Sequence, residues 1–87
     1  SRAEVMTVRE RVQTERKVPA DALVIRVSAA RKLHAGHLWI YGNELARPAK
    51  APPGAVVDVY SELDEPLGVA YINPASLLYG RLLSHQV

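Results

Sequence analysis

Basic, aromatic and glycine residues are concentrated in one short stretch of the sequence, residues 31–44. Arg31 and Lys32 open this stretch, two histidines and two glycines follow, and Trp39 is the only tryptophan of the chain. Basic side chains can bind phosphates and aromatic rings can stack on unpaired bases, and RNA presents both groups to proteins. The stretch therefore indicates a contact with RNA.

Three further basic residues could meet a phosphate backbone. Arg47 and Lys50 follow the stretch in a proline-containing loop, where their side chains can converge with those before them. Arg81 lies among leucines, where it either reaches the surface with its stem packed on the sheet or lines a polar groove.

The charge is distributed unevenly along the chain. Residues 1–50 hold ten lysines and arginines against five acidic residues, whereas residues 51–87 hold one against four. Such asymmetry can present a basic face to a polyanion. The net charge is only +2, however, so charge alone favours an ordinary solvated surface over an RNA-binding one.

Catalytic and metal-binding patterns are poorly represented. His34 and His37 have ligand chemistry, but a zinc site needs three or four ligands and the chain has no cysteine. The acidic residues between positions 62 and 65 are typical of a solvated hairpin turn. No glycine-rich phosphate loop or nucleophile elbow occurs. A metal-dependent enzyme built on the two histidines remains a rival hypothesis without a third ligand, and we expect neither a metal nor a cofactor site in this chain.

The elements that would position these residues can be predicted from periodicity and turn signals. Ser28 has the chemistry of a helix N-cap, and Gly36 is a natural left-handed stop after the helix. Trp39 lies between two apolar neighbours, which favours a core position over a base-stacking one. A helix is predicted at 29–35, and strands at 23–27, 38–41, 55–60, 67–72 and 77–83.

These elements predict a mainly β fold with one or two short helices, closed into a small barrel. Eighty-seven residues suffice for one domain. We expect a flexible or weakly helical tail over residues 1–21 and the domain over residues 22–87. No apolar run approaches the ~20 residues of a membrane helix. Neither a signal peptide nor a membrane segment is predicted, and we expect a cytoplasmic domain.

Three runs of sequence, taken together, carry a resemblance to a known family. They are GHLWIYGNEL at 36–45, PGAVVDV at 53–59, and LGVAYINPAS at 67–76 followed by RLL at 81–83. In this order they resemble the amino-terminal PUA-like domain of S-adenosylmethionine-dependent methyltransferases that modify cytosine C5 in large-subunit ribosomal RNA. The resemblance covers residues 23–84.

The resemblance implies a PUA-like pseudo-barrel with a helix inserted after its first strand. It implies RNA binding through the helix, the glycine loop after it and nearby strands, and so through Arg31, Lys32, Gly36, His37 and Arg81. It further implies that S-adenosylmethionine and catalysis belong to a methyltransferase domain of the parent enzyme, since this chain lacks the cysteine that attacks the pyrimidine ring.

We therefore expect an RNA-binding domain that is not catalytic by itself and that helps to position ribosomal RNA. The predicted contact residues are Arg31, Lys32, Gly36, His37, Arg47, Lys50 and Arg81. The alternative is a protein-interaction barrel that docks onto a catalytic domain or another partner, with Leu77, Leu78 and Tyr79 as an exposed apolar patch.

Overall fold

The computed structural model describes residues 18–86 of the chain. The tail predicted for residues 1–21 therefore lies almost entirely outside the described residues. The strands are β1 (Leu23–Ile25), β2 (Trp39–Tyr41), β3 (Leu45–Arg47), β4 (Val56–Ser61), β5 (Pro66–Ile72) and β6 (Leu78–Ser84). One α-helix, α1 (Val27–His34), follows β1, and a single 3₁₀ turn (Gly42–Glu44) follows β2.

The six strands form one curled sheet in the order β2-β6-β5-β4-β1-β3. Only the β1–β4 pair is parallel among the described strands, and α1 lies in the connection that leaves β1. Strands account for 42% of the structure, and the sheet curls into a half-barrel, so the predicted mainly β pseudo-barrel with one or two short helices is confirmed. The sequence did not predict β3 or the 3₁₀ turn.

The core lies between the concave side of the sheet and α1. Alternate residues of the strands point inward, and Ala29, Ala30 and Leu33 of the helix pack against them. The largest fully buried side chains are Leu23, Ile25, Leu33, Ile40, Ile72 and Val59. The helix is therefore fixed by one apolar stripe, which leaves its basic residues on the opposite side.

The start of α1 differs from the prediction and its end agrees with it. Arg26 is the N-cap residue without a side-chain cap, and Ser28 lies inside the helix, so the prediction of a Ser28 cap is wrong. The Val27 amide instead donates to Glu62 Oε2 at 2.9 Å, from the turn between β4 and β5. Gly36 follows the helix with a φ of 104°, as expected of a left-handed stop.

No helix within residues 18–86 has the length and apolarity needed to cross a membrane.

A bulge in β6 changes which side chains of this strand face inward. Ile40 pairs with Gly80 and Tyr41 pairs with Leu78, so Tyr79 is an extra residue opposite β2. The bulge turns Tyr79 into the core, where it is 5% exposed and its hydroxyl accepts a hydrogen bond from the Ala49 amide at 3.1 Å. The unpaired residue of the bulge is therefore Tyr79, which directly precedes Gly80.

Candidate nucleic-acid interface

Four exposed side chains lie in one row across the outer face of the sheet. Trp39 of β2 is opposite Arg81 of β6, Arg81 is opposite Tyr71 of β5, and Tyr71 is opposite Val56 of β4. Side chains directly opposite each other in antiparallel strands have Cβ atoms about 4.5–5.5 Å apart. We call these four residues the cross-strand row, in which a cation lies between two aromatic rings.

Arg81 and Trp39 are in direct contact. The guanidinium carbon lies 5.4 Å from the centre of the indole ring, within the range of a cation–π interaction. Trp39 is 47% exposed, so the prediction that its ring belongs to the core is wrong. The apolar residue that β2 buries is Ile40, and the alternation along the strand therefore places Trp39 on the outer face.

The loop after the helix, residues 36–38, is held between α1 and β6. The His37 amide donates to the Lys32 carbonyl at 3.0 Å, and the Leu82 amide donates to the Leu38 carbonyl at 2.7 Å. Lys32 thus adjoins this glycine loop on one side, and Arg81, the neighbour of Leu82, adjoins it on the other. Through these backbone bonds the glycine loop links the chain segments that carry four of the predicted contact residues, Lys32, Gly36, His37 and Arg81.

Lys32 is partly engaged in an ion pair. Its ammonium nitrogen lies 2.9 Å from Glu44 Oε2, while the side chain stays 55% exposed. The buried Glu44 carboxylate also accepts the Tyr41 amide through Oε1 at 2.9 Å. Burial opposes ionisation of Glu44, but the hydrogen bonds from Tyr41 and Lys32 and the charges of Lys32 and His37 outweigh it and lower the pKa of Glu44.

The other predicted basic residues are not part of this cluster. Arg31 lines a groove together with His34 and Glu65, so an acidic group lies near it. Arg47 donates through Nη2 to the carbonyls of Pro19 and Ala22 at 2.7 and 3.2 Å, which ties β3 to the segment before β1. Lys50 is exposed in the loop between β3 and β4. These placements give Arg47 a structural role and leave contact of all three with RNA as a prediction.

The two histidines of the metal hypothesis have separate surroundings. His34 Nε2 lies 2.8 Å from Glu65 Oε1, and His37 belongs to the glycine loop. Within residues 18–86, no three histidine, cysteine or acidic side chains are grouped closely enough to hold a metal ion.

A groove of about 160 Å³ opens beside the cross-strand row. Its lining consists of Trp39, Tyr71 and Arg81 of the cross-strand row together with Asn73, Ser76, Leu78, Tyr79 and Gly80. Sequence reasoning did not identify Tyr71, although its position between two buried residues of β5 could have placed it on the outer face. Of the apolar patch predicted for a protein-interaction barrel, Leu77 is exposed and Tyr79 is buried.

The sequence profile of a family described as PUA-like domain matches residues 23–85, which span β1 to the end of β6. This chain belongs to the PUA-like domain family. Domains of this family generally bind RNA, and a small PUA-like domain is not itself catalytic. The curated proteins contain no match to the chain.

Proposed function

We propose that this PUA-like domain binds ribosomal RNA and positions it for a methyltransferase of which the domain is a part. The observation that carries RNA binding is the placement of Lys32 and Arg81 on opposite sides of the glycine loop, joined to it by the bonds at His37 and Leu82. Two cations about one exposed loop can contact successive phosphates of a strand.

The glycine loop suits a close approach of the RNA backbone. Gly36 has positive φ and no side chain, and an added Cβ would meet no described atom within 4 Å, so the surface around it is open. His37 is exposed beside it and can donate a hydrogen bond to a phosphate. Arg31 and Lys50 would extend the basic surface at its margins.

The methyltransferase half of the proposal depends on the resemblance of three sequence runs to the rRNA cytosine-5 enzymes. S-adenosylmethionine does not fit the groove beside Arg81, because about 160 Å³ is below the ~300–1,000 Å³ of ligand pockets and the lining has no carboxylate for a ribose. The absence of cysteine likewise assigns the attack on cytosine to another domain. In this proposal the domain contributes substrate binding in the cytoplasm, and the rest of the parent enzyme contributes the cofactor and the reaction.

A pair of matched double variants tests the RNA surface. Lys32→Ala with Arg81→Ala should weaken binding to a ribosomal RNA fragment and lower the slope of log affinity against log salt by about 1–2, as expected for the loss of two phosphate contacts. Arg31→Ala with Lys50→Ala removes the same charge and should change the slope less. Thermal melting of both variants verifies that they fold. Equal effects of the two pairs would place the surface elsewhere, and no RNA binding by the unmodified chain would refute the proposal.

The parent enzyme provides a second test. The reading frame that encodes this domain should also encode an S-adenosylmethionine-binding domain, and Arg81→Ala in that enzyme should raise KM for ribosomal RNA with little change in kcat. A frame that encodes a different catalytic class would contradict the methyltransferase assignment and leave RNA binding intact.

A further inference from the structure

We propose that the groove lined by Trp39, Tyr71 and Arg81 binds one unpaired nucleobase of a single-stranded or looped RNA, with Arg81 placed to contact the adjoining phosphate. This inference rests on the proposed RNA-binding function and adds to it the class of RNA. It differs from the proposed contact at the glycine loop, which would accept the phosphates of a duplex as well as those of a single strand.

The groove exists because the bulge leaves two consecutive residues of the middle strand, Tyr79 and Gly80, facing inward. By the alternation of β6, the residue two positions before Arg81 should cover this surface, but the bulge turns that residue, Tyr79, into the core. Gly80 also faces inward, opposite the fully buried Ile40 and Ile72, so no side chain of β6 projects outward between Leu78 and Arg81. The strand thus presents backbone where its neighbours β2 and β5 present rings, and the result is a recess lined by these aromatic residues.

The two aromatic residues that line the groove have the exposure that stacking on a planar ligand requires. Trp39 and Tyr71 lie on the two strands that flank β6, so their backbones are about 10 Å apart. Both residues are 47% exposed, which leaves ring surface open for stacking. Each base stacked on an aromatic side chain adds binding free energy regardless of base identity, because every base has a π face.

The chemistry of the lining favours RNA over an apolar peptide as the occupant. Arg81 is charged, and none of the described residues that line the groove is a carboxylate. An apolar side chain of a partner protein would cover the guanidinium without supplying an anion, whereas a nucleotide brings a phosphate together with its base. Asn73 and the Ser76 hydroxyl, whose oxygen accepts the Leu78 amide at 3.2 Å, can hydrogen-bond the edge of the base.

Duplex RNA cannot use such a recess. Its bases are stacked on one another, so their faces are unavailable to protein side chains, whereas loops and single strands can splay a base out. The groove volume of about 160 Å³ also limits the occupant to about one ring system. The RNA that fits is therefore one with an unpaired nucleotide.

Trp39 provides a built-in reporter, because it is the only tryptophan of the chain. Titration of the 87-residue protein with a single-stranded octamer should quench its fluorescence in a saturable manner, whereas a blunt duplex of the same sequence should bind at least tenfold more weakly and quench less. Tyr71→Leu should weaken binding of the octamer by roughly 5- to 150-fold, as expected for the loss of one stacked base. Tyr71→Phe keeps the ring and should retain binding within about twofold.

The matched control is Tyr60→Leu, the same substitution on β4 away from the groove, which should change affinity by less than twofold. If RNA binds but the duplex binds as well as the single strand, or if Tyr60→Leu weakens binding as much as Tyr71→Leu, the groove assignment is refuted while RNA binding stands. If Trp39 fluorescence is unchanged by bound RNA, the same conclusion follows. If neither RNA binds, the groove assignment and the proposed function fail together.

Discussion

Lys32 of α1 and Glu44 of the 3₁₀ turn form an ion pair across the glycine loop, with 2.9 Å between Nζ and Oε2. Glu44 simultaneously accepts the Tyr41 amide, so one carboxylate connects the helix, the end of β2 and the turn. This connection ties the helix that precedes the glycine loop to the far end of the strand that follows it. The pair thus positions the proposed RNA surface and keeps one of its two cations half exposed.

The first prediction concerns the pH dependence of stability at Glu44. Since its pKa is lowered in the folded state below the ordinary value of 4.5, the unfolded state binds the proton more readily. The ionised carboxylate therefore stabilises the fold above about pH 4.5, and this contribution is lost as pH falls through the folded pKa. Glu44→Gln should cost about 1 kcal/mol at pH 7 in urea unfolding. A difference from the unmodified protein that stays constant down to pH 3 would contradict this account.

The second prediction concerns the helix cap at Glu62. Glu62→Ala removes the acceptor of the Val27 amide and the negative charge near the helix start, so it should lower the free energy of unfolding by about 1 kcal/mol. Ser28→Ala is the control, because Ser28 makes no cap bond, and it should change stability by less than about 0.5 kcal/mol. If Ser28→Ala lowered the free energy of unfolding more than Glu62→Ala, Ser28 and not Glu62 would be the helix cap.

The third prediction concerns a close backbone approach in the sheet, at Gly68 of β5. Its φ is 145°, and an added Cβ would overlap the Ser84 carbonyl oxygen and lie 2.9 Å from the His85 Cα atom. Gly68→Ala should therefore destabilise the fold by about 3 kcal/mol or more, since backbone must move. Gly42→Ala, whose Cβ would lie 3.8 Å from the nearest carbonyl oxygen, should be tolerated in the same thermal melt. Equal melting temperatures for the two variants would contradict this prediction, because they would show that β5 can move away from the end of β6 at Gly68 without loss of stability.

The fourth prediction separates two roles for Arg47. Arg47→Ala removes hydrogen bonds from a charged group to the Pro19 and Ala22 carbonyls, so it should lower the free energy of unfolding by about 2 kcal/mol. At a temperature where this variant is folded, its RNA affinity should show an unchanged salt slope. Lys50→Ala, an exposed basic control, should leave stability within about 0.5 kcal/mol. A reduced slope in Arg47→Ala would instead support the phosphate contact that the sequence predicts.

Local features of the sequence were sufficient for most of the secondary structure. The alternation of Val57, Asp58 and Val59 placed two valines in the core, and Gly36 correctly ended the helix. Both features depend on neighbouring residues alone, so no tertiary information is needed. The prediction of the α1 cap was wrong for the opposite reason, because Glu62 reaches the Val27 amide from a distant part of the chain.

The candidate site, too, has features that the local sequence predicts and features that it does not. The sequence determined that cations, glycine and aromatic residues are present, and the period of β2 was available to place Trp39 and Ile40 on opposite faces. The composition of the interface and the strands that carry it were therefore encoded locally. The apolar neighbours of Trp39 nevertheless favoured a buried ring, because hydrophobicity alone does not say which of two adjacent residues points inward.

Only the tertiary structure decided which of these residues meet. The order of the strands places Arg81 between Trp39 and Tyr71, and the bulge at Tyr79 opens the groove beside them. Folding also pairs Lys32 with Glu44 and directs Arg47 to backbone carbonyls, so identical charges acquire different roles. Strand pairing joins residues that are distant in sequence, and its register follows from packing of the whole core, which no short segment specifies by itself.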